Sequence, residues 1–180
     1  MAHRFKVSPD GPYPHFTTNT IVRWAPVFVS DSYFKIILDS LAHLRQHRNL
    51  AIHAYVIMPN HVHTIVTARN NDLSAIMRDF KKFTSRAIYH QAEQEGNHRL
   101  VSVFQASAKR DVRSRFKVWQ DEFHPEAIYG RRFFSQKLEY IHTNPVRKGL
   151  ATDASQWYYS SFTVYEMGDG GPLEIDLIEW

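Results

Sequence analysis

Helix-spaced and strand-like runs follow one another along this 180-residue chain in the order β-α-β-β-α-(loop)-β-α. That order predicts an α+β fold, an antiparallel sheet with helices packed on one face, of the ferredoxin-like plan. Three observations carry the expectation. Apolar residues recur at helical spacing from Asp31 and again from Leu73. Between these two runs lie two β-rich segments around Pro59-Asn60, a central hairpin or kink. A third helical run begins at Arg131 and reaches an Asn-Pro pair at 144–145.

Composition bounds the classes. Hydrophobic content of 43% with 22% charged residues is ordinary globular composition and argues against wholesale disorder. The whole chain, 1–180, reads as one domain with a tail at 1–12 and a C-terminal appendix at 166–180. There is no cysteine, which excludes disulfides and thiolate metal sites and leaves His, Asp, Glu and Asn as possible ligands. A formal charge of +4 favours polyanionic partners only where the charge is clustered. No apolar run approaches the ~18 residues of a membrane span, and no secretory signal follows Met1. The expectation is a soluble cytoplasmic protein with no membrane partner.

Each element has its own signal. Thr, aromatic and β-branched residues from Tyr13 to Val29 read as a strand ending near Pro26. Tyr33, Phe34, Ile37, Leu38, Leu41 and Leu44 place a helix over Asp31–Arg48, with Asn49 as its stop. Leu73, Ile76, Met77, Phe80, Phe83, Ala87 and Ile88 form the stripe of the next helix, and Arg78, Lys81, Lys82 and Arg86 fall mainly away from it. Such a face is either solvated or a phosphate-contacting surface. Glu93–Arg115, with Lys109, Arg110, Arg113 and Arg115, reads as a mobile basic loop. Phe116–Phe123 reads as a strand that Ala127–Tyr129 extends. Arg131–Thr143 is a helix that Pro145 ends. Leu173 to Trp180 makes a short apolar tail that packs on the body.

The chemistry gathers around two stretches. Strand side chains alternate, so His61 and His63 share a face, about 7 Å apart along the strand, where they can converge on one metal ion. On the last helix Phe133, Lys137, Tyr140 and Asn144 share a side that is not the Phe134/Leu138/Ile141 side. A metal held by His61, His63 and Asn144 would keep positions open and act as a Lewis acid on a phosphoryl group. Tyr140 is a candidate covalent nucleophile, and Lys137 lies one turn before it. Singly, each has a plainer reading. The chain holds 11 histidines and nine tyrosines, and an Asn before Pro commonly just ends a helix.

Several stretches together carry a resemblance. Ile57-Met58-Pro59-Asn60-His61-Val62-His63 looks like the His-hydrophobic-His signature of the HUH single-tyrosine transposases. Trp119-Gln120, then Glu139-Tyr140-Ile141-His142-Thr143-Asn144-Pro145-Val146-Arg147-Lys148-Gly149-Leu150, then Trp157-Tyr158-Tyr159-Ser160-Ser161 follow in order. This combination, over roughly residues 13–165, is similar to the REP-associated tyrosine transposase branch, related to the smallest insertion-sequence transposases. The resemblance implies a ferredoxin-like fold with the histidine pair on a central strand. It implies a divalent metal, Mg²⁺ or Mn²⁺, on His61, His63 and Asn144, and Tyr140 as nucleophile. The implied activity is nicking and strand transfer on single-stranded or hairpin DNA through a phosphotyrosine intermediate, by a monomer or homodimer. Arg78, Lys82, Arg86, Lys109, Arg110, Arg113 and Lys137 are then candidate DNA contacts. Trp119, Trp157, Tyr158 or Tyr159 would stack on unpaired bases. The alternatives are a metal-dependent nuclease with water as nucleophile and a non-catalytic single-stranded nucleic-acid-binding domain.

Overall fold

The structure, a computed structural model, describes residues 3–6, 11–108, 114–168 and 170–180. In chain order the elements are β1 (His3–Lys6), β2 (His15–Thr20), a one-turn 3-10 helix (Val22–Trp24), α1 (Asp31–His47), β3 (Leu50–Met58) and β4 (His61–Ala68). Then come α2 (Leu73–Gln94), α3 (His98–Ala108), β5 (Glu126–Ala127), α4 (Arg131–Arg147), a 3-10 turn (Ala154–Gln156), α5 (Phe162–Met167) and β6 (Asp176–Glu179). Strands β2 to β5 form one antiparallel sheet in the order β3-β4-β2-β5, so β4 is an inner strand. The connectivity β2-α1-β3-β4-α2-β5 is that of the ferredoxin-like plan.

Pro59-Asn60 makes a two-residue hairpin turn, since Met58 pairs with His61 across it. The tip is clamped from outside the hairpin. The amides of Val27 and Phe28 both donate to the Pro59 carbonyl, at 2.7 and 2.9 Å, and the Ile21 amide donates to Asn60 O at 2.9 Å. These bonds leave the first residues of β4 little freedom.

Both faces of β3 and β4 are covered. On one face Ile37, Leu41 and Leu44 of α1 and Ile76, Met77 and Phe80 of α2 share a core with Ile52, Ile57, Val62 and Val66. On the other face Phe134 and Ile141 of α4 pack with Ala54, Val56, Met58 and Ile65. The expectation of helices on one face therefore holds for α1 and α2, while α4 takes the opposite face. The physical reason is that β3 is apolar at both parities, Val56-Ile57-Met58 included, and such a strand needs cover on both sides.

Four other readings change. Residues 93–115 hold helix α3, whose Leu100, Phe104 and Ala108 are buried at a four-residue spacing; Lys109 to Arg113 lie outside the described residues. Phe116–Phe123 is not a strand. Trp119 alone bridges to Ile21; single backbone bonds at Lys117, Val118 and Gln120 and ring contacts hold the segment, with Phe116 stacked on Tyr89 at 3.9 Å and the Trp119 ring beside Phe28 and Phe80. α4 continues through Pro145 to Arg147. Proline removes one ladder bond in the last turn, and Lys148 N still donates to Asn144 O at 3.1 Å. Finally, the expected tail includes β1, which pairs in parallel with β6 of the C-terminal appendix. That appendix packs as expected, with Leu173 and Ile175 buried and Arg45 Nε donating to the buried Asp176 carboxylate at 3.0 Å.

Candidate active site

The histidine pair sits at the start of β4, on the face that α4 covers. The two rings meet with centroids 4.6 Å apart, at 74° to each other, and the residues are 7% and 5% exposed. Each ring is oriented through Nδ1. His61 Nδ1 lies 2.6 Å from Asn60 Oδ1, an oxygen that only accepts, so Nδ1 carries the proton and Nε2 keeps its lone pair. His63 Nδ1 is 2.8 Å from the hydroxyl of Thr18, its cross-strand partner on β2. Burial is the main force on both titrations and lowers His61 to about 4 and His63 to about 3. The Lys148 charge adds to the effect on His61, and His61 and Lys137 add to that on His63, while a Thr17 backbone bond opposes it. Both imidazoles are thus neutral at physiological pH, the form that ligates a metal, and the His61 bond to Asn60 leaves the Nε2 of His61 free.

α4 brings the second half. Tyr140 is half-buried, and its ring stands edge-on to His63 with centroids 5.3 Å apart and edge-on to Phe16 at 5.9 Å. The Arg147 guanidinium carbon lies 5.1 Å from the Tyr140 ring centre. Lys137 Nζ lies 4.5 Å from the Phe16 ring centre and pairs with Glu126 at 2.5 Å. Tyr140 thus meets His63, while the charges of Lys137 and Lys148 act on His63 and His61. Asn144 lies one helical turn after Tyr140, on the side of α4 that carries Lys137 and Tyr140. It is 3% exposed, and its buried Oδ1 has no hydrogen-bond partner. An oxygen that is dry and unpartnered costs stability unless something supplied later satisfies it. Among the described residues no three His, Cys, Asp or Glu side chains gather as a metal cluster. Two neutral imidazole nitrogens with one unpartnered amide oxygen are a donor set that would fit a divalent cation.

The other sequence-derived contacts divide. Lys82 and Arg86 of α2 line a cleft of about 1030 Å³ between α2, the end of α3 and residues 114–122. Arg78 is exposed on α2 but does not line it. Lys109, Arg110 and Arg113 fall outside the described residues. Trp119 is a correction: it is 3% exposed and its Nε1 donates to Thr84 Oγ1 at 2.9 Å, so it is a core residue with no face for a base. Of the other aromatic candidates, Trp157 donates to Ile57 O, Tyr159 donates to Asp31 and stacks on Phe34, and Tyr158 is exposed.

Several site residues had no signal as site residues. Thr18, Trp24 and Lys148 enter through the tertiary fold, and Asn60 and Arg147 through local contacts, with His61 next in the chain and with Tyr140 two turns earlier on α4. Pairing with His63 across the sheet depends on register, and register is not written in the local residues around Thr18.

Among the described residues no helix is long and apolar enough to cross a membrane. The fold resembles the solved structure of a REP-associated tyrosine transposase bound to a REP hairpin, with a TM-score of 0.65 at 20% identity over 96% of this chain and 88% of that one. A REP-associated tyrosine transposase of Escherichia coli (strain K12) is 23% identical over 82% of this chain and 74% of its own length. A putative one of Haemophilus influenzae (strain ATCC 51907 / DSM 11121 / KW20 / Rd) is 26% identical over 61% and 57% respectively. The family model described as transposase IS200 like matches residues 13–148, well over half of the chain. With that match spanning the sheet, the histidine pair and the whole of α4, the chain belongs to the IS200-like transposase family.

Proposed function

We propose that this protein nicks single-stranded, hairpin-bearing DNA and rejoins it through a covalent bond to Tyr140. The observation that carries the reading is the meeting of Tyr140 with His63 at 5.3 Å between ring centroids, on the polar and not the apolar side of α4. A hairpin substrate is supported by the related transposase whose structure holds one.

His61 and His63, through Nε2, and Asn144, through Oδ1, would hold a divalent cation, Mg²⁺ or Mn²⁺, which when bound polarises a phosphate oxygen as a Lewis acid. The chain's own residues do the rest. The Tyr140 phenol oxygen attacks phosphorus, and the bond from phosphorus to one sugar oxygen breaks. The phenol proton is released and the departing oxygen leaves as a hydroxyl, so one phosphodiester is exchanged for another. Because no bond energy is lost, a sugar hydroxyl can attack the phosphotyrosine and reverse the step. A free phenol has a pKa of about 10, so it must lose its proton as it attacks. The Arg147 guanidinium over the ring, with Lys137 nearby, stabilises the negative charge that develops. Asn60 holds His61 in its Nδ1–H tautomer, and Thr18 orients the His63 ring. Lys82 and Arg86 contact phosphates along the strand.

Incubation with a hairpin-bearing single strand and Mn²⁺, followed by denaturing electrophoresis, should reveal a protein–DNA adduct that Tyr140→Phe abolishes. An adduct that survives in Tyr140→Phe assigns the nucleophile elsewhere. Multiple turnover without adduct, unaffected by Tyr140→Phe, means that water attacks. Binding without cleavage under any metal, unchanged in His61→Ala/His63→Ala, means a non-catalytic domain.

A further inference from the structure

Two consecutive residues beside the site hold a backbone conformation that side chains disfavour. Arg23 has φ 55° and ψ 20°, and Trp24 has φ 54°. For residues other than glycine the left-handed region is strained, and a chain that needed only a turn here would be relieved by glycine. The surroundings enforce the strain. Trp24 N donates to Ile21 O at 3.0 Å, Val22 N to Val118 O at 2.8 Å, and Asn60 Nδ2 to Trp24 O at 3.3 Å. Asn60 is the residue whose Oδ1 accepts from His61. One amide thus ties the strained turn to the histidine pair.

What the strain achieves is a placement. The Trp24 ring meets His61 edge to face with centroids 6.1 Å apart, yet Trp24 remains 58% exposed. An indole half in water contributes little to the core. Its neighbour Arg23 turns the other way and lines the cleft of about 1030 Å³ together with Lys82 and Arg86. None of these three cations has an ion pair among the described residues, whereas Lys81 in the same cleft donates to the carbonyls of Gln120 and Glu122 and Lys117 pairs with Asp121. The turn therefore joins the histidine pair, an open aromatic face and a basic groove.

We infer that Trp24 is the platform on which a base flanking the scissile phosphate stacks, and that the single strand runs from there past Arg23 into the Lys82/Arg86 cleft. The inference rests on the function proposed above. Stacking on an indole suits any base, so this contact sets the position of the strand and not its sequence.

The test uses the full chain and hairpin-bearing single strands in which each nucleotide flanking the cut is made abasic in turn. Adduct formation by the wild type should fall about five- to a hundredfold at one position. Trp24→Ala should show the same loss on the intact strand and no further loss at that abasic position, and Trp24→Phe should recover most of the rate. Lys82→Ala with Arg86→Ala should lower the slope of log affinity against log salt by about 0.7 per cation. Trp24→Ala with an unchanged rate, or with full sensitivity to every abasic site, overturns the platform; an unchanged salt slope overturns the path. If the wild type forms no adduct with any strand, the proposed function fails by itself. The same non-additivity, read then in binding anisotropy, still decides the role of Trp24.

Discussion

Replacing Asn144 by Leu should move stability in opposite directions with and without metal. Leucine copies the shape of asparagine and removes the buried Oδ1 that lacks a hydrogen-bond partner. An unsatisfied buried polar atom costs about 1–3 kcal/mol, so the metal-free variant should be more stable by that amount. For a domain of this length each kcal/mol corresponds to about 2–4 °C in Tm. Mn²⁺ at about 100 times its dissociation constant should stabilise the wild type by about 2.7 kcal/mol. The variant, left with two imidazoles, should lose most of that gain together with adduct formation. Calorimetric melting in EDTA and in Mn²⁺ reads both signs at once. A metal-free variant less stable than the wild type, or one that keeps the full Mn²⁺ shift, would refute the assignment of Asn144 as a donor held ready at a cost in stability.

Other outcomes follow from the same geometry. Because burial lowers the pair to about 4 and 3, Mn²⁺ affinity measured by calorimetry should change little between pH 7.5 and 5.5. A fall of about tenfold per pH unit beginning near 6.5, the ordinary histidine value, would contradict that burial. Burial also lowers His53 to about 4, against an unfolded value of about 6.5. The unfolded chain therefore takes up this proton first as pH falls. Its contribution is fully present above 6.5 and is lost toward pH 4, by about 3 kcal/mol. Urea unfolding that gave equal stability at pH 7.5 and 4.5 would contradict this. Trp24→Gly should relieve about 1 kcal/mol of left-handed strain and raise Tm while weakening DNA binding. Trp119→Phe should do the reverse, costing about 2 kcal/mol in urea unfolding through lost packing and the lost bond to Thr84 while leaving DNA affinity unchanged.

The histidine pair, Tyr140 and Asn144 were legible because each lies in a short stretch whose spacing dictates a shared side. Alternation along a strand places residues 61 and 63 together, and a four-residue step along a helix places 140 with 144. Helices α1 and α2 and the hairpin were readable for the same reason. α3 was hidden because it is only 11 residues long and lies between the polar run Glu93–Arg99 and the basic residues from Lys109 on, which dominate the stretch.

The sequence by itself determined the α+β class and which candidate residues share a side in each half of the candidate site, since both follow from periodicities within single elements. Tertiary structure decided what depends on neighbours distant along the chain. It put α4 across the second face of the sheet, so that Tyr140 meets His63, and it withdrew Trp119 into the core. It also bent Arg23 and Trp24 into a conformation that no local preference favours. Burial and cross-strand register are properties of the packed chain, and the residues around a position do not encode them.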